Sequence, residues 1–193
     1  MLRTIFGLDE VRSGHVTVKS MAGKAAPLDR WRQGVGMLSE DRKNEGLALN
    51  LSIADNLTLT RLPSMVSESK QQSDAQTWIE RSGVKCRNGA QAVSELSGGN
   101  QQKVAFARLL YHDVDLLLLD EPTRGIDVGS KQQIYAMIDE LAKQGKAVLI
   151  VSSYLPELLG ICDRIAVMNK GVLGEAIPVD QLDQETIMRH ATA

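Results

Sequence analysis

Leu96-Ser97-Gly98-Gly99-Asn100-Gln101-Gln102-Lys103, followed one helix length later by Leu116-Leu117-Leu118-Leu119-Asp120-Glu121-Pro122, decides the fold of this chain. The first run puts a serine and two glycines at a helix start. There the backbone N–H groups lack partners, the helix dipole is positive, and neither glycine has a Cβ to hold an anion away. Four leucines in the second run suit a strand buried on both faces. Such a strand delivers Asp120 and Glu121 to the carboxyl edge of a sheet, where α/β proteins bind ligands. An aspartate at that edge suits Mg²⁺, and a glutamate suits orienting or deprotonating a water for in-line attack on a phosphate. Taken singly, the runs describe a capped turn and a core strand with a charged exit. Their order and spacing argue for reading the two runs together.

The two runs resemble the signature motif and Walker B motif of ABC-type ATPases, and the resemblance extends over nearly the whole chain. It implies an α/β fold: an incomplete ABC-type P-loop NTPase core, a mostly parallel sheet with flanking helices, and a small helical subdomain. In that family, cassettes work as facing pairs with ATP between them. By this resemblance Ser97, Gly98 and Gly99, with Asn100 and Gln101 behind them, serve an ATP held by the facing cassette. Asp120 is the Mg²⁺ ligand and Glu121 the catalytic carboxylate for the chain's own nucleotide. Asp127, in the D-loop-like run Thr123-Arg124-Gly125-Ile126-Asp127, reaches toward the facing cassette and also suits a helix N-cap.

Three positions depart from the wider family. Glu40 stands where the Q-loop glutamine is usual, and Ser153 where a histidine contacts the γ-phosphate; Asn100 likewise replaces a common glutamine. The runs Glu40-Asp41-Arg42-Lys43 and Ser152-Ser153-Tyr154-Leu155-Pro156-Glu157 are similar to the second cassette of double-cassette monosaccharide importers of the ribose, galactose, arabinose and xylose type. Catalytic positions by resemblance are therefore Glu121, Ser153 and Glu40.

Composition narrows the class. The 193 residues are 43% hydrophobic and 24% charged, as in a globular domain. A net charge of −2 and a pI near 5.9 offer no general attraction to nucleic acid or anionic lipid. Cys86 and Cys162 are far apart with no CxxC partner, which fits thiols in a reducing cytoplasm. No apolar run approaches the ~20 residues that span a bilayer. Membrane association is expected through a partner: permease subunits, with a periplasmic sugar-binding protein indirectly.

Along the chain, Leu2, Ile5, Phe6 and Leu8 predict the closing turns of a buried helix ending near Gly7. Gly14–Lys19 predicts an exposed strand, and Pro27–Gln33 a short helix closed by Gly34. Val35–Leu38 reads as a buried strand. Ser52-Ile53-Ala54-Asp55 has capping-box spacing, and Ala75, Trp78 and Ile79 give the next helix an apolar face. His112 is placed past the end of the signature helix. Ala147–Val151 and Arg164–Met168 are expected as buried core strands, followed by a hairpin arm and a small amphipathic helix. The expected organisation is 1–49 partial core, 50–95 helical subdomain, 96–172 signature to switch region, and 173–193 the C-terminal arm.

P-loop NTPases hold phosphates with a G-x-x-x-x-G-K-[ST] loop. Gly23-Lys24 would need a glycine where Val18 stands, and Gly145-Lys146 one where Glu140 stands. The chain is therefore expected to begin inside the helix after that loop. Losing one preorganised donor typically costs ~10²–10³ in rate, so turnover of its own nucleotide is expected near background. Three hypotheses follow: the C-terminal part of a sugar-importer ATPase, a non-enzymatic remnant or regulatory piece that lends its signature, and, ranked last, a DNA-repair or chromosome-organising ATPase.

Overall fold

The computed structural model describes residues 1–19 and 21–192. They group into two compact units, Met1–Val151 and Ser152–Ala193.

In the first unit, α1 (Leu2–Phe6) leads to a small hairpin of β1 (Thr17–Val18) and β2 (Met21–Ala22), then α2 (Pro27–Arg32) and β3 (Val35–Leu38). A wide turn at Arg42–Gly46, α3 (Ile53–Thr58), α4 (Glu68–Arg81) and the fifteen-residue α5 (Gly98–His112) lie between β3 and β4 (Leu116–Asp120). Helix α6 (Val128–Lys143) connects β4 to β5 (Ala147–Val151). The three strands form a parallel sheet in the order β3-β4-β5, with Leu38 opposite Leu119 and Asp120 opposite Val151. Parallel neighbours require long crossovers, and the helices supply them.

Central β4 is apolar because both its faces are covered, and Leu117, Leu118 and Leu119 are fully buried. One core cluster gathers Leu2 and Phe6 of α1, Val18 of the hairpin, Val35, Met37 and Leu118. Trp31 meets Phe6 edge-to-face at 5.9 Å. Close packing at the sheet depends on Gly36: a Cβ there would lie 2.7 Å from Leu109 and 2.9 Å from Val114. Helix α3 starts with a closed capping box. Asp55 N–H donates to Ser52 Oγ at 3.0 Å, and Ser52 N–H donates to Asp55 Oδ2 at 3.3 Å. Its apolar side chains Ile53 and Leu57 are fully buried.

The structure corrects several local expectations. Leu8 lies outside α1 and is exposed, and only Thr17–Val18 of the 14–19 segment is strand. His112 belongs to the last turn of α5, where its Nε2 meets the Trp31 carbonyl at 3.0 Å and its ring packs on the indole. Strand β5 is half-exposed instead of buried, since among the described residues it pairs with β4 alone.

In the second unit, α7 (Leu155–Ile161) precedes β6 (Arg164–Ile165), β7 (Met168–Asn169), β8 (Val172–Leu173), β9 (Ile177–Pro178) and α8 (Gln184–Thr192). The continuous strand expected at 164–168 is divided: β6 pairs antiparallel with β9, and β7 with β8. Lys170 and Gly171 both take positive φ, which matches the right-handed twist of a tight β7–β8 hairpin.

Candidate functional site

Helix α5 begins at an exposed Ser97 whose hydroxyl does not cap the helix. Instead, Asn100 Nδ2 donates to Ser97 Oγ at 3.0 Å, and Asn100 Oδ1 accepts from Lys85 N–H at 2.8 Å. Gln101 N–H makes the first intrahelical bond, to the Ser97 carbonyl at 2.9 Å. The N–H groups ahead of it take no side-chain cap from Ser97, and they carry the positive end of the helix.

The two signature glycines do different things. A Cβ on Gly98 would stand 2.8 Å from Arg42 Nη2, the end of a flexible side chain. A Cβ on buried Gly99 would stand 2.3 Å from Ser130 Oγ, 2.8 Å from Ser130 Cβ and 3.0 Å from Asp127 Oδ2. Gly99 thus lets α5 approach the start of α6. Gln101 turns inward: it is 6% exposed, and its Nε2 lies 3.2 Å from the carbonyls of Val93 and Leu96. Its side chain fastens the preceding loop and does not face the helix start's solvent side.

At the carboxyl end of β4, Asp120 is half-buried, and burial together with neighbouring Glu121 holds its carboxyl above the usual range. A carboxylate pair of this kind is a hard oxygen donor set that a divalent cation would relieve. Among the described residues no three metal-ligating side chains converge. Mg²⁺ would therefore complete its shell with phosphate and water, as it commonly does.

Glu121 adopts φ +46° immediately before Pro122. A left-handed non-glycine residue costs of order 1–3 kcal/mol and persists where its surroundings over-determine it. Here Glu121 N–H donates to the Val151 carbonyl at 2.8 Å, and Arg124 N–H to the Glu121 carbonyl at 3.1 Å. A third tie comes from α5: buried Gln102 donates from Nε2 to the Pro122 carbonyl at 2.7 Å.

Asp127 caps α6, accepting from Ser130 N–H at 2.9 Å and Ser130 Oγ at 2.7 Å. These bonds hold its carboxyl below the usual range. Glu40 forms an ion pair with Arg124, and Arg42 Nη1 donates to the Arg124 carbonyl at 3.3 Å. The segment that follows is a wide turn, with Gly46 N–H donating to the carbonyl of Asp41 at 3.1 Å. Arg108, half-buried, donates to the Gly46 carbonyl at 2.7 Å; desolvation pulls its guanidinium down to about 10.

Ser97, Gly98, Gly99, Asn100, Gln101, Asp120, Glu121, Asp127 and Glu40 all belong to the first unit. Ser153 belongs to the second unit. It is exposed beside Ser152, whose hydroxyl donates to Glu157 at 2.5 Å and accepts from Tyr154 N–H at 3.1 Å. Sequence reasoning missed Gln102, Arg42, Arg108 and Ser130. Their polar side chains end on backbone or on neighbours far along the chain, and only the i, i+3 spacing of Asp127 and Ser130 carried a local signal.

The ABC transporter family profile matches residues 1–124. The ribose import ATP-binding protein RbsA of Bacillus cereus is 42% identical over the whole chain, and that of Halalkalibacterium halodurans 43%. A putative ribose/galactose/methyl galactoside import ATP-binding protein of Rhizobium etli is 43% identical over 98% of the chain. The chain spans about two fifths of the length of these relatives, 40%, 40% and 37% respectively. Among solved structures, the ATP-binding cassette MJ0796 in a dimeric post-hydrolysis state with ADP and Pi superposes with TM-score 0.78. It is 21% identical and aligned over 92% of this chain and 78% of its own. A nucleotide-free cassette from an ABC transporter gives 0.76 at 18% identity over 98% and 77%. These two show the fold, and the family match shows the lineage: the chain belongs to the ABC transporter family of ATP-binding proteins.

Proposed function

We propose that this chain works as part of the ATP-binding cassette of a monosaccharide importer, lending its signature to a composite ATP site. The supporting observation is the start of α5, where an exposed Ser97 leaves the leading N–H groups without a side-chain cap. That arrangement suits the terminal phosphate of an ATP held by a facing cassette. The sugar class rests on relatives that are named as ribose importers and match the chain over its full length.

Asp120 would hold Mg²⁺ on the chain's own side, and Mg²⁺ when bound would neutralise charge on the phosphates. Glu121, whose backbone is left-handed, would orient the attacking water and take its proton. Glu40 acts through Arg124 as a positioning group, and Ser153 would give one hydrogen bond to phosphate. Asn100 orients Ser97 toward the anion. Asp127 sets the start of α6 and would face the partner cassette. Gln101 supports the site from behind. In organisation, residues 50–95 would form the helical subdomain that meets the permease, and residues 96–172 and 1–49 the core. Work at the membrane follows through that permease, since no helix among the described residues is long and apolar enough to cross a bilayer. A periplasmic sugar-binding protein would deliver substrate on the other side.

The test is a chimera. This chain replaces the matching segment of a ribose import ATP-binding protein, and ribose uptake with ATP turnover is measured in the assembled importer. Uptake that a Ser97→Arg change abolishes supports the proposal. A folded, assembled chimera that hydrolyses no ATP overturns it.

A further inference from the structure

The structure assigns Gln102 as a positioning residue that joins the phosphate seat at the start of α5 to the strained turn carrying Glu121. This rests on the composite-site proposal above and gives a role to a residue of the signature run that the phosphate seat itself does not use.

The argument starts from geometry. Gln102 lies one helical turn beyond Gly98, is 2% exposed, and donates from Nε2 to the Pro122 carbonyl at 2.7 Å. Pro122 has no N–H of its own and is itself buried, so its carbonyl is the one backbone group that can tie this point of the turn. The preceding residue, Glu121, holds φ +46°, a conformation that a following proline disfavours further. Two of the bonds that hold Glu121 come from the sheet edge and from the turn itself. The bond from Gln102 arrives from the signature helix.

The same loop is fastened to that helix start at two further points. Arg42, beside Gly98, donates to the Arg124 carbonyl at 3.3 Å, and Gly99 packs against the Asp127–Ser130 cap. The peptide from Glu121 to Asp127 is therefore clamped at its beginning by Gln102 of the signature helix, in its middle by Arg42 beside that helix's start, and at its end by Gly99. Gln102 holds the beginning, nearest the catalytic carboxylate. Occupancy of the seat, by ordering the first turn of α5, tightens the Glu121 turn through this carboxamide. The residue carries a signal between two ATP sites and touches neither nucleotide.

The experiment is amide hydrogen exchange on the full chain, with and without a complete ABC cassette loaded with a non-hydrolysable ATP analogue. In the wild type, binding slows exchange at the start of α5 and also, by about tenfold, across residues 121–126. Gln102→Met keeps the bulk and removes the donor. It is expected to retain protection at α5 and to lose the response at 121–126. Gln102→Glu gives the same loss at neutral pH and serves if the methionine variant does not fold. Protection at α5 with no response at 121–126 in the wild type, or an undiminished response in both variants, overturns the inference alone. Absence of protection at α5 in the wild type overturns the composite-site proposal and this inference with it.

Discussion

Gly98 and Gly99 are neighbours in sequence but answer to different constraints. Gly99→Ala pushes a methyl into Ser130 and Asp127, both held by the cap of α6. Overpacking of this kind costs about 1–3 kcal/mol, which a chain of this size shows as a fall in Tm of roughly 2–4 °C per kcal/mol. Removing the clash from the other side with Ser130→Gly is expected to return part of that loss in a double-mutant cycle. Gly98→Ala meets the flexible end of Arg42 and, at ordinary contact distance, the Gly125 carbonyl, so its stability change is expected within about 0.5 kcal/mol. Its effect belongs to phosphate binding, and thermal melts beside nucleotide-dependent pairing separate the two. The pair of glycines was legible as a phosphate seat because both sit at a helix start. That one of them is committed to packing was not legible, since Ser130 lies thirty-one positions further on. Gln101 and Gln102 show the same limit: two adjacent glutamines look alike in sequence, and only the rotation of α5 sends one to Leu96 and the other to Pro122.

Elements whose ends are chemically marked came through the sequence intact. Ser52 and Asp55 close the capping box that their spacing announces, and Ser52→Ala is expected to cost about 1 kcal/mol in urea unfolding. Asp127 carries the corresponding role at α6 and adds a pH signature. Its folded carboxyl titrates below the ordinary 3.8 because Ser130 donates to the charged form. The sign follows: this stabilisation is complete above pH ~4 and disappears as pH falls through the depressed folded value. Unfolding midpoints measured down the acid limb are expected to fall less steeply for Asp127→Asn than for the wild type. Strands were harder to place than helices. Residues 164–168 hold enough apolar character for one strand, yet Arg164 and Ile165 pair with β9 while Met168 and Asn169 pair with β8. Pairing partners are tertiary information, and two-residue strands leave almost no periodicity to read.

At the scale of the whole molecule, the sheet explains why burial was misjudged for β5. Its composition, Ala147-Val148-Leu149-Ile150-Val151, is that of a strand covered on both sides, and such sequence reports the neighbours a strand is built for. Among the described residues only β4 pairs with it, and Val151 is 37% exposed at the carboxyl edge. An apolar strand with a free edge is a template for pairing with another chain. The purified chain is therefore expected to self-associate as concentration rises, with sedimentation velocity showing a shift from monomer to larger species. Val151→Lys tests the cause, because the side chain is exposed while the backbone carbonyl that accepts from Glu121 stays in place. A charge at this edge disfavours pairing without unpacking the core. The variant is expected to sediment as monomer over the same concentration range with an unchanged thermal midpoint, and equal association of variant and wild type would place the contact elsewhere on the surface.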